Sequence, residues 1–105
     1  MGGKGPIAVQ DQRMNHHDAI ARLETRLLVA EALEVLQALD PNNVRLSCVE
    51  GFIDRDDGKH EARLDLIVDF GQMRQFTTEE QIRIAEMFIK NRAADGTTFE
   101  IWACQ

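Results

Sequence analysis

His60–Phe70, with the sequence HEARLDLIVDF, is the stretch that decides the fold. Its residues alternate between two sets, an apolar one of Ala62, Leu64, Leu66, Val68 and Phe70 and a mostly polar one of Glu61, Arg63, Asp65, Ile67 and Asp69. A period of two places the two sets on opposite sides of a β-strand. The stretch therefore predicts a strand with one buried and one wet face, as in an antiparallel sheet.

The preceding residues predict the hairpin partner of this strand. Val44–Ile53 has a similar alternation, with an inner set of Val44, Leu46, Cys48 and Phe52. Asp57 and Gly58 supply the positive-φ positions of a tight turn between the two strands. Gly51 predicts a β-bulge, which would turn the neighbouring Glu50 outward.

Two helices and a third strand flank the hairpin. Asp18–Leu39 lacks Gly and Pro and is rich in Ala, Leu and Glu, which predicts one long helix. Thr77 with Glu80, or Thr78 with Gln81, has the spacing of a capping box, and Gly96 is a typical stop, so a second helix is expected between them. Thr97–Cys104 predicts the last strand, with an inner set of Phe99, Ile101 and Ala103.

The element order is therefore α-β-β-α-β. It predicts an α+β fold with a three-stranded antiparallel sheet and two helices packed on one face. The simplest strand order, 2-1-3, pairs the last strand with the first, although the sequence does not fix this order. We expect residues 15–105 to form a single domain and the glycine-rich residues 1–14 to be a flexible segment. An alternative is that Met14 is the natural first residue, which would make residues 1–13 upstream or added sequence.

Composition and charge argue against several classes of protein. The 105 residues include 18 acidic and 12 basic side chains, a formal charge of -6, without the clustered basic face that nucleic acid requires. No apolar run approaches the roughly 20 residues of a membrane-spanning helix, and no signal peptide is recognisable. Cys48 and Cys104 are too few for a disulfide framework. We expect a small acidic cytoplasmic protein with two free thiols that binds neither nucleic acid nor membranes.

No pattern in the sequence predicts catalysis, a metal site or a cofactor. Ser47 is the only serine and lacks the glycines of a nucleophile elbow. Asp54–Asp65 departs from the calcium-loop pattern, because alternate acids do not lead into its glycine and the last position is Asp rather than Glu. We therefore assign no catalytic residue, no metal and no cofactor, and we favour a protein that is not an enzyme.

The predicted first helix has more apolar surface than one packing face needs. One seam repeats in steps of four and three and consists of Ala21, Thr25, Leu28, Ala32, Val35 and Leu39. A second stripe on another side of the helix consists of Ile20, Leu23, Leu27 and Ala30. Either both stripes are internal, or the second one meets another subunit through two-fold symmetry. The latter interpretation predicts a homodimer with Ile20, Leu23 and Leu27 at its contact.

The outer face of the predicted sheet is a candidate binding surface. If Phe99 and Ile101 point inward, Trp102 points outward, and the same alternation places Val49, Ile53 and Ile67 beside it, with Arg45, Arg63 and Glu100 at the rim. An aromatic residue among aliphatic residues and arginines is typical of protein interfaces. The alternatives are that Trp102 only covers its neighbours, that residues 1–14 cover it, or that the last strand is flipped and Trp102 is in the core.

The sequence therefore favours a non-enzymatic protein-interaction module, similar in kind to an adaptor, a chaperone or an inhibitor, and a homodimer. Its protein partner would bind at Trp102, Ile67, Val49, Arg63 and Arg45. The alternative is a small-molecule-binding protein or small enzyme with a pocket between helix and sheet.

Overall fold

The computed structural model of the chain describes residues 14–54, 60–71, 75–92 and 96–105, with the backbone alone for residues 54 and 60–65. The elements in chain order are α1 (His16–Ala21), β1 (Leu27–Leu28), α2 (Val29–Ala38), β2 (Arg45–Asp54), β3 (His60–Asp69), α3 (Thr78–Arg92) and β4 (Thr97–Cys104). The predicted Asp57-Gly58 turn and residues 1–13 lie outside the described residues, whereas Met14 packs against the core.

The strands form one antiparallel sheet in the order β1-β4-β2-β3. Helices α2 and α3 contact each other and pack against β4 and β2, so the predicted α+β class is confirmed. The last strand pairs with the first strand of the hairpin, as the simplest arrangement requires. The described parts of the chain contain four strands and three helices, where the sequence predicted three strands and two helices.

The extra helix and strand arise because the predicted long helix is interrupted. Helix α1 ends after Ala21, and Glu24 adopts a φ of 65°, outside the helical region. Its backbone N–H donates to the Ile101 carbonyl at 2.9 Å, and Leu27 and Leu28 then pair with β4. A new helix begins at Val29, where Glu31 Oε1 accepts from the Leu28 N–H at 3.1 Å. Pairing with β4 therefore overrides the local helix propensity of these residues.

The prediction for the first hairpin strand is wrong beyond its first residues. Val44 and Leu46 are buried as expected, but the register with β4 shifts between Leu46 and Cys48, which leaves Ser47 as an extra residue. A bulge of this kind reverses the alternation that follows it. Cys48 and Phe52 consequently lie on the outer side, while Val49 is fully buried and Ile53 packs against the core.

Helix α3 holds this bulge in place. The Leu46 N–H donates to Gln81 Oε1 at 2.9 Å, and the Thr78 hydroxyl donates to the Val44 carbonyl at 2.8 Å. Gln81 is fully buried, so its amide oxygen satisfies a backbone group that water cannot reach. The bulge and the first turn of α3 therefore fix each other.

The predicted start of α3 is confirmed. Glu80 Oε1 accepts from the Thr77 N–H at 2.8 Å, and the Glu80 N–H donates to Thr77 Oγ1 at 3.2 Å. These reciprocal bonds satisfy two backbone donors that a helix start leaves without partners. The hydrogen bond that the Glu80 carboxylate accepts from the Thr77 backbone N–H lowers the pKa of that carboxyl below its usual value, because it favours the ionised form, and the Thr77 side chain adds to the shift.

A single core lies between the helices and the sheet. The helices contribute fully buried Ala32, Val35, Leu36, Ala85 and Ile89, and the sheet contributes fully buried Val49, Phe99 and Ile101. The Phe88 and Phe99 rings meet edge to face at 6.4 Å between centroids. On β3 the inward positions Leu66 and Phe70 are buried, as the alternation predicted, whereas Ala62 and Leu64 lie outside the described side chains.

Candidate protein-binding face

The side of the sheet that faces away from the helices is called the open face here. It consists of Cys48, Glu50 and Phe52 on β2, Ile67 and Asp69 on β3, and Thr98, Glu100 and Trp102 on β4. These residues alternate with core residues on each strand, and the bulge at Ser47 brings the β2 set into line with the others. The open face thus combines aromatic and aliphatic side chains with three carboxylates.

Two glutamates face each other at the centre of the open face. Glu50 on β2 is the direct cross-strand partner of Glu100 on β4. Like charges at directly opposed positions destabilise a sheet unless something compensates them. The two carboxylates differ in this respect, because only one of them has a cationic partner among the described residues.

Arg26 compensates Glu100. Its Nε donates to Glu100 Oε2 at 3.2 Å, and its guanidinium carbon lies 3.9 Å from the centroid of the Phe52 ring. Both ion-pair side chains are mostly buried, so water screens this contact less than it would an exposed pair. Arg26 therefore neutralises one carboxylate and covers one aromatic ring of the open face.

Glu50 has no such compensation. It forms no hydrogen bond or ion pair with any described residue, although it is half-buried. Its neighbour on the other side, on β3, is Ile67. Glu50 therefore places a carboxylate without a cationic partner among the described residues at the centre of the open face.

Cys48 lies between Trp102 and Asp69 on the open face. Burial raises the pKa of the Cys48 thiol to about 11, and the negative charges of Glu50, Asp69 and Glu100 add to the rise. A thiol with this pKa is protonated at neutral pH and is a poor nucleophile. Cys48 therefore acts as a small apolar side chain of the surface, and both cysteines are free thiols.

Trp102 is half-buried and has an unsatisfied polar atom. Its Nε1 is shielded from solvent and has no hydrogen-bond partner among the described residues. The same holds for Thr98 Oγ1 and for Arg26 Nη1 at the other end of the open face. Buried donors without acceptors are uncommon in native proteins and carry a desolvation penalty. The open face therefore contains three polar atoms that are shielded from water and have no hydrogen-bond partner among the described residues.

The structure places the five predicted partner-binding residues differently. Trp102 and Ile67 lie on the open face, and the alternative of a flipped last strand is wrong because Phe99 and Ile101 are fully buried. Val49 is a core residue, because the bulge at Ser47 turns it inward. Arg45 is exposed and its Nη1 donates to the Phe76 carbonyl at 3.0 Å. The Arg63 side chain lies outside the described residues.

Sequence reasoning missed Arg26, Phe52 and Cys48 as members of this surface. Their positions depend on the bulge in β2 and on the strand β1, and neither has a local signal. The pairing of Glu50 with Glu100 depends on the same bulge.

Ile20, Leu23 and Leu27 do not form a helical stripe. Ile20 belongs to α1, Leu23 follows that helix, and Leu27 is a 2% exposed residue of β1. Ile20 and Leu23 are partly buried against the core. Their apolar surface is thus used within the chain, and the most exposed large apolar side chains among the described residues are Leu28 and Met87, each 62% exposed.

The described residues line several cavities, among them one of ≈ 410 Å³ at Met14, Glu34, Gln37 and Ala38. A groove of ≈ 290 Å³ between α2 and α3 is lined by Leu36, Leu39, Ile82 and charged residues, and a cleft of ≈ 490 Å³ lies at Pro41–Arg45 and Cys104. Among the described residues, no group of three or more His, Cys, Asp or Glu could hold a metal ion. None of the described helices is long and apolar enough to cross a membrane.

Fold and site together define a small α+β domain with a partly apolar, acidic open sheet face. Comparisons with protein-family models, with curated proteins and with solved structures found no match.

Proposed function

We propose that the chain is a non-enzymatic protein-binding module, of the adaptor, chaperone or inhibitor kind, which binds its partner through the open face. The observation that carries this proposal is the combination at Trp102 and Glu50. An aromatic ring with an unsatisfied N–H and an uncompensated carboxylate lie together on a sheet face that no described helix covers. Aromatic anchors beside charged groups are typical of interface centres.

The pocket alternative has less support. The space between the helices and the sheet is filled by fully buried side chains such as Val35, Ile89 and Ile101. The cavities that the described residues line lie along α1 and α2, between α2 and α3, and at the end of the sheet. A metabolite that raised the midpoint of thermal unfolding would nevertheless favour the alternative, because a ligand stabilises the state that it binds.

Quantitative affinity capture from a cell lysate tests the proposal with three variants. Trp102→Ala and Ile67→Asp alter the open face, and Met87→Asp is the matched control because Met87 is an exposed apolar residue of α3. We expect proteins retained by the wild type and by Met87→Asp to be lost from both open-face variants. Circular dichroism establishes that each variant is folded. Equal retention by all folded variants would refute binding at this face.

A further inference from the structure

The open face has an approximate two-fold arrangement around the Glu50–Glu100 pair. Two residues after Glu50 comes Phe52, and two residues after Glu100 comes Trp102. Because the strands are antiparallel, the two rings lie on opposite sides of the glutamate pair, each diagonal to the glutamate of the other strand. The β2–β4 pair therefore has a Phe52 half, with Glu100, and a Trp102 half, with Glu50.

The Phe52 half has its cation within the chain. Arg26 precedes β1 and continues its register, opposite Glu100, and its guanidinium group contacts both that carboxylate and the Phe52 ring. A planar guanidinium can stack on an aromatic ring while its N–H groups bind a carboxylate, which an ammonium group cannot do in the same way. The chain itself thus shows which chemical group fits such a half-site.

The Trp102 half lacks its cation. The position equivalent to Arg26, next to Glu50 on the outer strand, is occupied by Ile67. No described cation lies over the Trp102 ring, and none pairs with Glu50. Asp69 adds negative charge on the same side, where it is the cross-strand neighbour of Cys48, and Cys48 in turn is paired with Trp102.

We propose that the protein partner inserts an arginine side chain into the Trp102 half, where its guanidinium group stacks on Trp102 and pairs with Glu50. This inference rests on the proposed function, because it names the group by which the partner is recognised. The occupant is an arginine-bearing segment of a protein. Half-buried Ile67 and Cys48, beside Glu50 and Trp102, offer the segment's neighbouring residues apolar contact that free arginine would lack.

Intrinsic fluorescence provides a direct test. The chain has one tryptophan and no tyrosine, so indole emission reports Trp102 alone. The probe is the blocked tripeptide acetyl-Val-Arg-Val-amide, and its matched control carries citrulline, which has nearly the same shape without the charge. We expect a saturable emission change with the arginine peptide and binding at least about tenfold weaker for the citrulline peptide. Equal responses to both peptides, or no saturable response, would overturn the inference.

Variants at Glu50 and at a distant carboxylate locate the site. Glu50→Gln should weaken binding of the arginine peptide about tenfold, because it removes the carboxylate but keeps the side-chain volume. Glu34→Gln, on the exposed side of α2, should leave binding unchanged. If Glu50→Gln binds the arginine peptide as tightly as the wild type does, the peptide binds elsewhere and the inference is wrong.

A second experiment introduces the missing cation by a substitution in the chain itself. Ile67→Arg places a guanidinium group beside Glu50, in the position that corresponds to Arg26. We expect its midpoint of thermal unfolding to exceed that of Ile67→Met by about 2–5 °C. We also expect it to lose peptide binding. This difference in the unfolding midpoint should vanish when both variants also carry Glu50→Gln. A difference that persists there would count against the pairing of the new arginine with Glu50.

The two proposals fail in different ways. If Trp102→Ala loses the partner in affinity capture but Glu50→Gln retains it with unchanged affinity, the face binds a partner without arginine recognition. Only the inference then falls. If Trp102→Ala retains every partner, the proposed function falls as well.

Discussion

Gly51 on β2 lies so close to Leu66 on β3 that a β-carbon at Gly51 would stand 2.6 Å from the Leu66 Cβ. The register between the two strands shifts at this position, from Glu50 paired with Ile67 to Phe52 paired with Ala62. Gly51 therefore lets the Leu66 side chain reach the core where the hairpin is irregular. The irregularity falls at the glycine that predicted a bulge, but its extra residues lie on β3, and Glu50 faces outward because of the bulge at Ser47.

The close contact predicts that Gly51→Ala destabilises the fold. The methyl group would meet a Cβ, which moves only with its backbone, so we expect a loss of about 1–3 kcal/mol in the free energy of unfolding. Gly71→Ala is the control, because its Cβ would meet the carboxylate of Asp69 at 3.1 Å, the flexible end of a side chain. Urea unfolding of both variants measures the difference, and equal stabilities would contradict this account of Gly51.

The buried amide of Gln81 provides a second prediction. Replacing it in Gln81→Met leaves the Leu46 N–H without its acceptor, which should cost about 1–3 kcal/mol of stability. The loss of stability is limited because methionine also removes the buried Gln81 Nε2, which has no partner among the described residues. Gln37→Met changes an exposed glutamine on α2 in the same way and should be nearly neutral. A wild-type-like Gln81→Met would show that the bulge does not depend on this hydrogen bond.

Strand alternation and helix signals were sufficient to predict the hairpin, the last strand and the start of α3. Phe99 and Ile101 face inward, and Trp102 faces outward, because β4 is regular along its length. The bulge at Ser47 could not be predicted, since it depends on Gln81, which lies 35 residues from Leu46 in the sequence. The single extra residue at Ser47 places Val49 in the core, and it places Cys48 and Phe52 on the open face.

The raised pKa of Cys48 predicts unequal reactivity of the two cysteines. With a pKa of about 11, roughly a thousandth of Cys48 is thiolate at pH 8, whereas Cys104 is exposed. Iodoacetamide at pH 8 should therefore modify Cys104 first, and Cys48 labelling should accelerate as the pH rises towards 11. Mass spectrometry of timed samples distinguishes the two sites. Comparable rates at pH 8 would mean that Cys48 is neither buried nor surrounded by negative charge.

The homodimer stays a prediction from the sequence, and the structure changes which residues can mediate it. Ile20 and Leu23 pack against the core of the same chain, whereas Leu28 at the edge of the sheet is exposed. We expect light scattering to give the mass of two chains for the wild type and of one chain for Leu28→Glu. A wild-type mass of one chain at every concentration would show that the homodimer prediction is wrong.

Two adjacent leucines test whether β1 exists. Leu27 is 2% exposed and pairs with the buried Phe99, while Leu28 is 62% exposed and pairs with Thr98. Leu27→Ala should cost about 2–5 kcal/mol of stability because it leaves a cavity in the core, and Leu28→Ala, measured at a concentration at which the chain is monomeric, should change stability little. A continuous helix would instead place Leu28 in the inner seam with Ala32 and Val35 and would make Leu28→Ala the damaging change. Chemical unfolding of the two single variants therefore decides between the interrupted chain and the helix that local propensity favours.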